Sequence, residues 1–270
     1  MSERSCPNCG SPAPDSFCPS CGQRQGALFP SVWSWLLERT DDLLLVEARL
    51  PRTLKRLAWP PGELSAEWRR GRRAAYVHPF RLWLLAALPF VLLLSSGNPR
   101  TTFFGRLTDE AVQVGTPPPT PAQDAGTIQP AAGTRFVMDI LPGIIGILLV
   151  PLLALLMVPV VGLRYRLVEH LVFSLHAHAF LFLWGTAVLA LGALLGPSVV
   201  LPGVALAYLH VTLSAGRAYG ARHPGLLGGM LLVSGAHVMA FFGLYVLLAR
   251  LLLAAGPGAG LWPPSPAPLP

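Results

Sequence analysis

Long apolar runs between residues 79 and 254 restrict what this chain can fold into more than any other feature. A helix needs about 20 mainly apolar residues to cross the hydrocarbon core of a bilayer, more than a soluble core helix needs. Only 12% of the residues are charged, about half the share of a soluble domain, so a soluble fold would lack charge for its surface. The sequence therefore predicts an all-α multi-pass membrane bundle of about five transmembrane helices.

The same runs divide the chain into predicted segments. Prolines inside the second run are compatible with a membrane helix, because neighbouring helices satisfy the freed carbonyl groups. The fourth run is short and contains Pro202, so a re-entrant segment is an alternative to a full span. The predicted spans are residues 78–97, 137–163, 167–195, 198–215 and 225–254, with a proline-rich periplasmic loop at 98–136 and a disordered tail at 255–270.

Arginines flank the predicted spans on one side of the membrane. Loops rich in Lys and Arg stay on the cytoplasmic side, when the count is made close to the span ends. The opposite side has a loop with balanced charge, a neutral turn and a tail without charge. The pattern predicts an inner-membrane protein with a cytoplasmic N-terminus and a periplasmic C-terminus, and the arginines that support it are Arg69, Arg70, Arg72, Arg73, Arg81, Arg164, Arg166, Arg217 and Arg222.

All four cysteines lie in the first 26 residues, in two Cys-x-x-Cys-Gly knuckles. Each knuckle wraps a tight turn around one cation, and the glycine after its second cysteine supplies a left-handed backbone conformation. Four thiolates form the closed tetrahedron of a structural Zn²⁺ site, with no open position for a substrate. Two disulfides are the alternative, which a reducing cytoplasm disfavours. The sequence predicts a zinc ribbon at residues 1–26 with the metal ligands Cys6, Cys9, Cys18 and Cys21.

Residues 31–77 form a basic, tryptophan-rich segment between the head and the first span. Between Arg49 and Arg73, eight basic residues stand against two acids. Tryptophan rings favour the headgroup layer and arginines favour anionic lipid, so we expect amphipathic helices over 32–49 and 52–58 along the membrane face. The alternative is a small soluble helical hairpin packed on the ribbon. No nucleic-acid partner is expected, because no recognisable binding fold accompanies the positive charge.

Ionisable residues inside the predicted spans are the candidates for chemistry, because each is costly in hydrocarbon and tends to have a partner. Glu169 and His176 are seven residues apart and share one helix face, whereas His178 points almost the opposite way. If a site exists, we expect Glu169 and His176 to face His210 or His237 and to bind a transition metal or transfer protons. The alternative is interhelical hydrogen bonding that holds the bundle together.

Motifs of several enzyme classes are missing from the sequence. We find no Walker loop, no dinucleotide-binding glycine fingerprint, no serine nucleophile elbow and no His-Glu-x-x-His. No inverted repeat with paired broken helices is evident, which disfavours a secondary transporter. No catalytic residue is therefore predicted from a motif.

A set of short strings resembles a bacterial family of membrane proteins of unknown function. The strings are Cys18-x-x-Cys21-Gly22-Gln23, Gly71-Arg72-Arg73-x-x-Tyr76 and Glu169-His170-Leu171-Val172-Phe173. The resemblance implies a zinc ribbon followed by a multi-pass inner-membrane domain, and it brings no known activity with it.

The sequence as a whole favours a membrane-anchored protein-interaction or regulatory module over an enzyme. In this hypothesis the ribbon binds a cytoplasmic protein partner, and the basic segment binds anionic lipid headgroups. The alternative is a membrane enzyme, or a protein that handles metal ions or protons, with Glu169, His176, His210 and His237 as its candidate residues.

Overall fold

The structure is a computed structural model, and it describes residues 5–25, 49–95, 141–162, 165–220 and 224–255. Almost all of the predicted helix at 32–49, the proline-rich loop at 98–136 and the tail at 255–270 lie outside the described residues. Within the described part, the chain from Leu50 onward is helical and forms no strand. The cysteine head contains two isolated antiparallel bridges, Ser5 to Pro12 and Phe17 to Arg24.

In the part of the chain from residue 49 onward, two short helices come before the long ones and form a helical hairpin. Helix α1 spans Leu50–Ala58 and α2 spans Glu63–Arg69. Gly62, at the start of α2, has a φ of 77° and lies against the backbone of Ser214. A Cβ atom at Gly62 would overlap the carbonyl oxygen of Ser214. The glycine therefore allows the hairpin to approach the bundle backbone directly.

Among the described residues the bundle contains five longer helices, which are α3 (Pro79–Ser95), α4 (Leu141–Val161), α5 (Leu167–Leu195), α6 (Val200–Tyr219) and α7 (Pro224–Ala255). A 3-10 turn at Pro197–Val199 precedes α6. Helix α5 packs against α3, α4 and α6, and α4 also packs against α7. The two larger core clusters both draw residues from α5, for example Val172 and Phe173. Helix α5 is thus the central element, and a polar side chain on it can contact several neighbours.

Three of the described helical stretches are long and apolar enough to cross a membrane, namely Leu167–Leu195, Pro197–Tyr219 and Gly228–Leu248. This length and composition mark the chain as a membrane protein. The described apolar parts of the first two predicted spans, Pro79–Leu93 and Ile145–Val161, are shorter. The count of about five spans therefore stays a prediction. The fourth predicted span is a continuous helix that extends past residue 215 to Tyr219, which is long enough for a full crossing.

Large apolar side chains lie on the outer faces of the long helices. Leu194, Leu201 and Leu232 are 81%, 77% and 77% exposed. Apolar surface of this extent is unfavourable in water and is expected where a helix faces lipid tails.

The second helix of the basic segment packs on the bundle, and the prediction that the segment lies along the membrane face stays a prediction. Helix α2 packs against α6 and α5, and it buries Leu64 and Trp68. Each of these side chains stabilises the folded state by about 2 kcal/mol when buried. These side chains are buried in the protein because Gly62, which has no Cβ atom, allows α2 to lie close to the backbone of α6.

Candidate functional site

The two cysteine knuckles repeat one backbone design. In the first, the Cys6 amide donates to the Ser11 carbonyl at 2.8 Å and the Gly10 amide donates to the Cys6 carbonyl at 2.8 Å. In the second, the Cys18 amide donates to the Gln23 carbonyl at 2.9 Å and the Gly22 amide donates to the Cys18 carbonyl at 2.8 Å. Gly10 and Gly22 have φ values of 78° and 69°, the left-handed conformation that the sequence predicts. The local sequence alone thus places each pair of sulfur atoms on one turn.

The four sulfur atoms have the spacing of a tetrahedral metal site. The Sγ atoms of Cys6 and Cys21 are 3.7 Å apart, and those of Cys9 and Cys18 are 3.6 Å apart. In a tetrahedron with metal–sulfur bonds of about 2.3 Å, two sulfurs lie about 3.8 Å apart. All four cysteines are free, whereas the alternative of two disulfides would leave none of them free. The head therefore fits a metal ion, and within the described residues no other group of three or more such side chains does.

The pKa values of three of the cysteines are shifted in different directions by the fold of the head. Burial of Cys6 disfavours its thiolate, but hydrogen bonds from the Cys9 and Asn8 backbone outweigh this effect and lower its pKa to about 6. A hydrogen bond from the Ser11 side chain lowers the pKa of Cys9. Burial raises the pKa of Cys21 to about 11. A bound metal ion supplies the positive charge that keeps such a buried thiol deprotonated.

The head is docked on the rest of the protein through the side chain of Gln23. Its Nε2 donates to the Gly71 carbonyl at 2.8 Å, and its Oε1 accepts from the backbone amides of Arg73 and Ala74, each at 3.1 Å. Gln23 is only 6% exposed, so water does not compete strongly for these groups. Since the Gln23 carbonyl also belongs to the second knuckle, this residue links the cysteine site to the loop that follows α2.

The arginines after α2 are paired with carboxylates of the protein itself. Arg72 donates two hydrogen bonds to Glu67, and Arg70 donates to the same carboxylate at 2.7 Å. Arg70 and Arg217 each lie 3.1 Å from Glu63. Hydrogen bonding from Arg72 holds the pKa of Glu67 below its usual value, although burial acts in the opposite direction. Two of the eight basic residues attributed to lipid binding, Arg70 and Arg72, are thus paired with carboxylates of the protein itself.

Glu169 caps the start of α5 and binds α2. Its Oε1 accepts from the Arg166 backbone amide at 3.1 Å, and its Oε2 accepts from Arg69 Nε at 3.1 Å. Arg69 also donates to the Ala218 carbonyl and lies 4.3 Å from the centre of the Tyr165 ring. Both carboxylate oxygens of Glu169 are therefore engaged in holding elements together.

His176 and His210 line one small cavity between the hairpin and the bundle. The cavity measures about 20 Å³, enough for one water molecule and too small for an organic substrate. His176 Nδ1 lies 2.9 Å from the hydroxyl of Ser65 on α2. The His210 ring stacks on Phe180 with ring centres 3.7 Å apart. These contacts fit the structural alternative, in which the histidines fasten the hairpin to α5 and α6.

His237 lies beside His178, which was predicted to point away from His176. The two rings have centres 5.1 Å apart and planes at 78°. The candidate residues are therefore divided among separate places: Glu169 with Arg69, His176 with His210 at the cavity, and His237 with His178.

Several contacts that the structure makes important were not predicted from the sequence, namely those of Gln23, Ser65 and Arg69 and the pairing of His178 with His237. Gln23 stands directly after a knuckle, and Ser65 and Arg69 lie four residues apart on one face of α2. These positions are recognisable once a partner surface is known, but their partners lie many residues away in the chain.

The fold and the site together define a helical membrane protein with a four-cysteine head. Residues 47–91 match a family model described as "Protein of unknown function (DUF3667)", so this stretch is similar to that family. It contains α1, α2, most of α3 and the loop that receives Gln23. No curated protein and no solved structure matches the chain.

Proposed function

We propose that this protein is a membrane-anchored interaction module, in which a zinc-loaded cysteine head is held in a fixed place and binds a protein partner. The observation that carries the proposal is the docking of Gln23. The buried side chain of Gln23 donates one hydrogen bond and accepts two, and these three bonds hold the head on the loop at Gly71–Ala74. Helix α2, which precedes this loop, packs on the bundle. A head held in this way presents the same surface at all times, which lowers the entropy cost of binding.

Zinc is the metal that suits the head best. Four thiolates form a closed set without a position for substrate, and zinc accepts this tetrahedral sulfur environment without redox change. The head would then be a structural centre whose outer surface does the binding. No bond-making step is assigned to it.

Phe17 is the residue of the head that we expect to contact the partner. It is 59% exposed although it lies directly before the buried Cys18. An exposed aromatic ring on a rigid turn is favourable for protein recognition, because it buries a large area and loses little conformational freedom.

The proposed location is the bacterial inner membrane, with the head in the cytoplasm and the C-terminus in the periplasm. The support is the arginine pattern together with the placement of Arg69, Arg70, Arg72 and Arg217 around one end of the bundle. A phosphatase fused after Pro270 that is active only in the periplasm is the expected result. Activity confined to a cytoplasmic reporter at the same position would contradict this orientation.

Site-specific photo-crosslinking tests the binding proposal. A photoreactive phenylalanine analogue at position 17 of the full chain should form a covalent adduct with one predominant protein in growing cells. The Cys6→Ser variant should lose the adduct, because the head no longer binds metal. The same analogue at Leu232, 77% exposed on a candidate span, is the matched control and should give no such protein.

Two results would contradict the proposal. One is the absence of any protein adduct at position 17 while the head is metal-loaded. The other is an adduct that survives in Cys6→Ser unchanged, since recognition would then not depend on the folded head.

A role in handling metal ions or protons within the membrane is the second candidate function. Glu169 and His176 are engaged with α2, and the His210 ring is stacked on Phe180 of α5, so these three residues support this function little. The pairing of His237 with His178 is the specific observation that favours it.

A further inference from the structure

Two buried histidines face each other between α5 and α7 without a hydrogen-bonding partner for one nitrogen of each ring. His178 and His237 are 2% and 3% exposed. Among the residues that the structure describes, neither Nε2 atom has a hydrogen-bond partner. The buried Nε2 atoms of His170 and His176 also lack a partner, but His178 and His237 are the histidines whose rings are in contact with each other. Two such nitrogens at one place call for a bound species, because a buried polar atom without a partner is costly.

The hydrogen bonds around His178 determine which of its nitrogens carries the hydrogen. His178 Nδ1 lies 2.8 Å from the carbonyl oxygen of Ser174, and a carbonyl can only accept. The Ser174 hydroxyl hydrogen is engaged separately, because Oγ donates to the Val150 carbonyl at 2.6 Å. Neutral His178 therefore has its hydrogen on Nδ1 and a free lone pair on Nε2. An Nδ1–H bound to a carbonyl is the usual arrangement behind an Nε2 metal ligand.

The separation of the rings suits one ion bound by both Nε2 atoms. With metal–nitrogen bonds of about 2.0 Å and an angle between tetrahedral and trigonal, two imidazole centres lie about 5.1 to 5.5 Å apart. The observed distance between centres is 5.1 Å. An ion bound in this bent way would have a third coordination position open.

The charge of the surroundings restricts which ion can bind. Among the described residues from Pro79 onward, Glu169 is the only carboxylate, and both of its oxygens are engaged elsewhere. A divalent ion held by two neutral rings would keep its full charge in an apolar interior, at a higher desolvation cost than a monovalent ion. Imidazole is a good copper ligand, and Cu(I) is monovalent and accepts few ligands. We propose that His178 and His237 bind a Cu(I) ion inside the bundle through their Nε2 atoms.

This site is independent of the proposed role of the head, which lies elsewhere and uses thiolates. Copper binding to the cysteines must therefore be removed from the measurement. The experiment uses the full chain in detergent with Cys6, Cys9, Cys18 and Cys21 replaced by Ser. It measures Cu(I) binding by competition with a coloured Cu(I) chelator under reducing conditions.

The expected result is one Cu(I) per chain. His178→Leu and His237→Leu should each weaken binding by at least about tenfold. His237→Met should retain most of the affinity, because its thioether is a soft ligand of volume similar to Leu. His176→Leu is the matched control, a buried histidine on the same helix, and should leave the affinity unchanged.

A second measurement covers the case in which the cysteine-free chain does not fold. Wild-type protein and the His178→Leu/His237→Leu double variant, both with their cysteines, are loaded with excess Cu(I). Wild type should bind one copper more per chain than the double variant, and X-ray absorption at the copper edge should show imidazole nitrogen ligands in wild type only. The proposal is overturned by the absence of copper from the folded cysteine-free chain, by equal copper content in wild type and the double variant, by affinity that is unchanged in both Leu variants, or by Zn²⁺ binding the pair as tightly as Cu(I). The proposal is also overturned if a water molecule bridges the two histidines and no metal is taken up.

Discussion

Gln23 donates a hydrogen bond from its side-chain amide to the carbonyl of Gly71, with 2.8 Å between nitrogen and oxygen. The two residues are 48 positions apart, one in the second cysteine knuckle and the other in the loop after α2. The same side chain accepts hydrogen bonds from the backbone amides of Arg73 and Ala74. The geometry of the cysteine head is thereby connected to the hairpin that lies on the bundle.

The first prediction concerns the loss of this docking contact. Gln23→Ala leaves one buried carbonyl and two backbone amides without their partner, which costs about 1–3 kcal/mol for each group that water cannot reach. We expect the amides of Arg73 and Ala74 to exchange hydrogen faster by at least about tenfold, measured by mass spectrometry. Ser20→Ala, at an exposed position of the same knuckle, is the control and should change nothing. Unchanged exchange in Gln23→Ala would show that the head is not docked there.

The second prediction separates backbone strain from steric overlap at Gly62. Gly62 and Gly220 both have positive φ, 77° and 64°. A Cβ on Gly62 would overlap the Ser214 backbone, whereas nothing lies within 4 Å of a Cβ on Gly220. Gly220→Ala should therefore cost only the conformational strain, about 1–2 kcal/mol. Gly62→Ala should cost clearly more and detach α2 from α6. Thermal unfolding in detergent measures both, and equal losses in the two variants would contradict the close approach.

Local features of this fold could be predicted from the sequence. The helices of the bundle follow from apolar composition, and the knuckles follow from two cysteines and a glycine within five residues. Helical phase also predicted that Glu169 and His176 share a face. In the structure both contact α2, through Arg69 and Ser65.

The partners on that face could not be predicted. The contact of Ser65 with His176 spans 111 residues, and that of Arg69 with Glu169 spans 100. Phase gives the direction of a side chain but not the element that lies opposite. The sequence analysis counted two acids in the basic segment but could not show that the carboxylate of one of them, Glu67, pairs with both Arg70 and Arg72.

The third prediction is a pH dependence that comes from Glu67. Its pKa is lowered in the folded protein, so its stabilising effect is fully present above the unfolded value, near 4.5, and is lost as the pH falls through the lowered folded value. At neutral pH, Glu67→Gln should cost about 1–3 kcal/mol, because the partner arginines are half-exposed and remain hydrated. The difference in melting temperature between wild type and Glu67→Gln should shrink as the solution is acidified below this range.

The difference between the two proteins is the informative quantity, since acid also affects other groups equally in both. Glu67→Asp is a useful comparison, because it keeps the charge but shortens the reach to Arg72. A wild-type advantage that is the same at neutral and acidic pH would contradict the assigned cause.

The fourth prediction is that docking of the head through Gln23 depends on the bound metal, whereas metal binding does not depend on docking. We expect purified protein to contain one zinc per chain, and Cys6→Ser to lose it, since all four sulfurs are needed for the tetrahedron. Cys6 and Cys18 are 1% and 2% exposed and should react with a maleimide only after a strong chelator removes the metal. Metal loss should also speed hydrogen exchange at the amides of Arg73 and Ala74. The reason is that the Cys18 amide donates to the Gln23 carbonyl and so holds Gln23 in the position from which its side chain binds these amides.

The reverse effect should be absent. Gln23 supplies no metal ligand, so Gln23→Ala should keep its zinc while its loop amides exchange faster. Metal content by mass spectrometry and hydrogen exchange on the same samples decide the point. If Gln23→Ala also lost its zinc, the docked loop would be part of what holds the head together. If Cys6→Ser kept both zinc and slow exchange, the cysteines would not form the metal site.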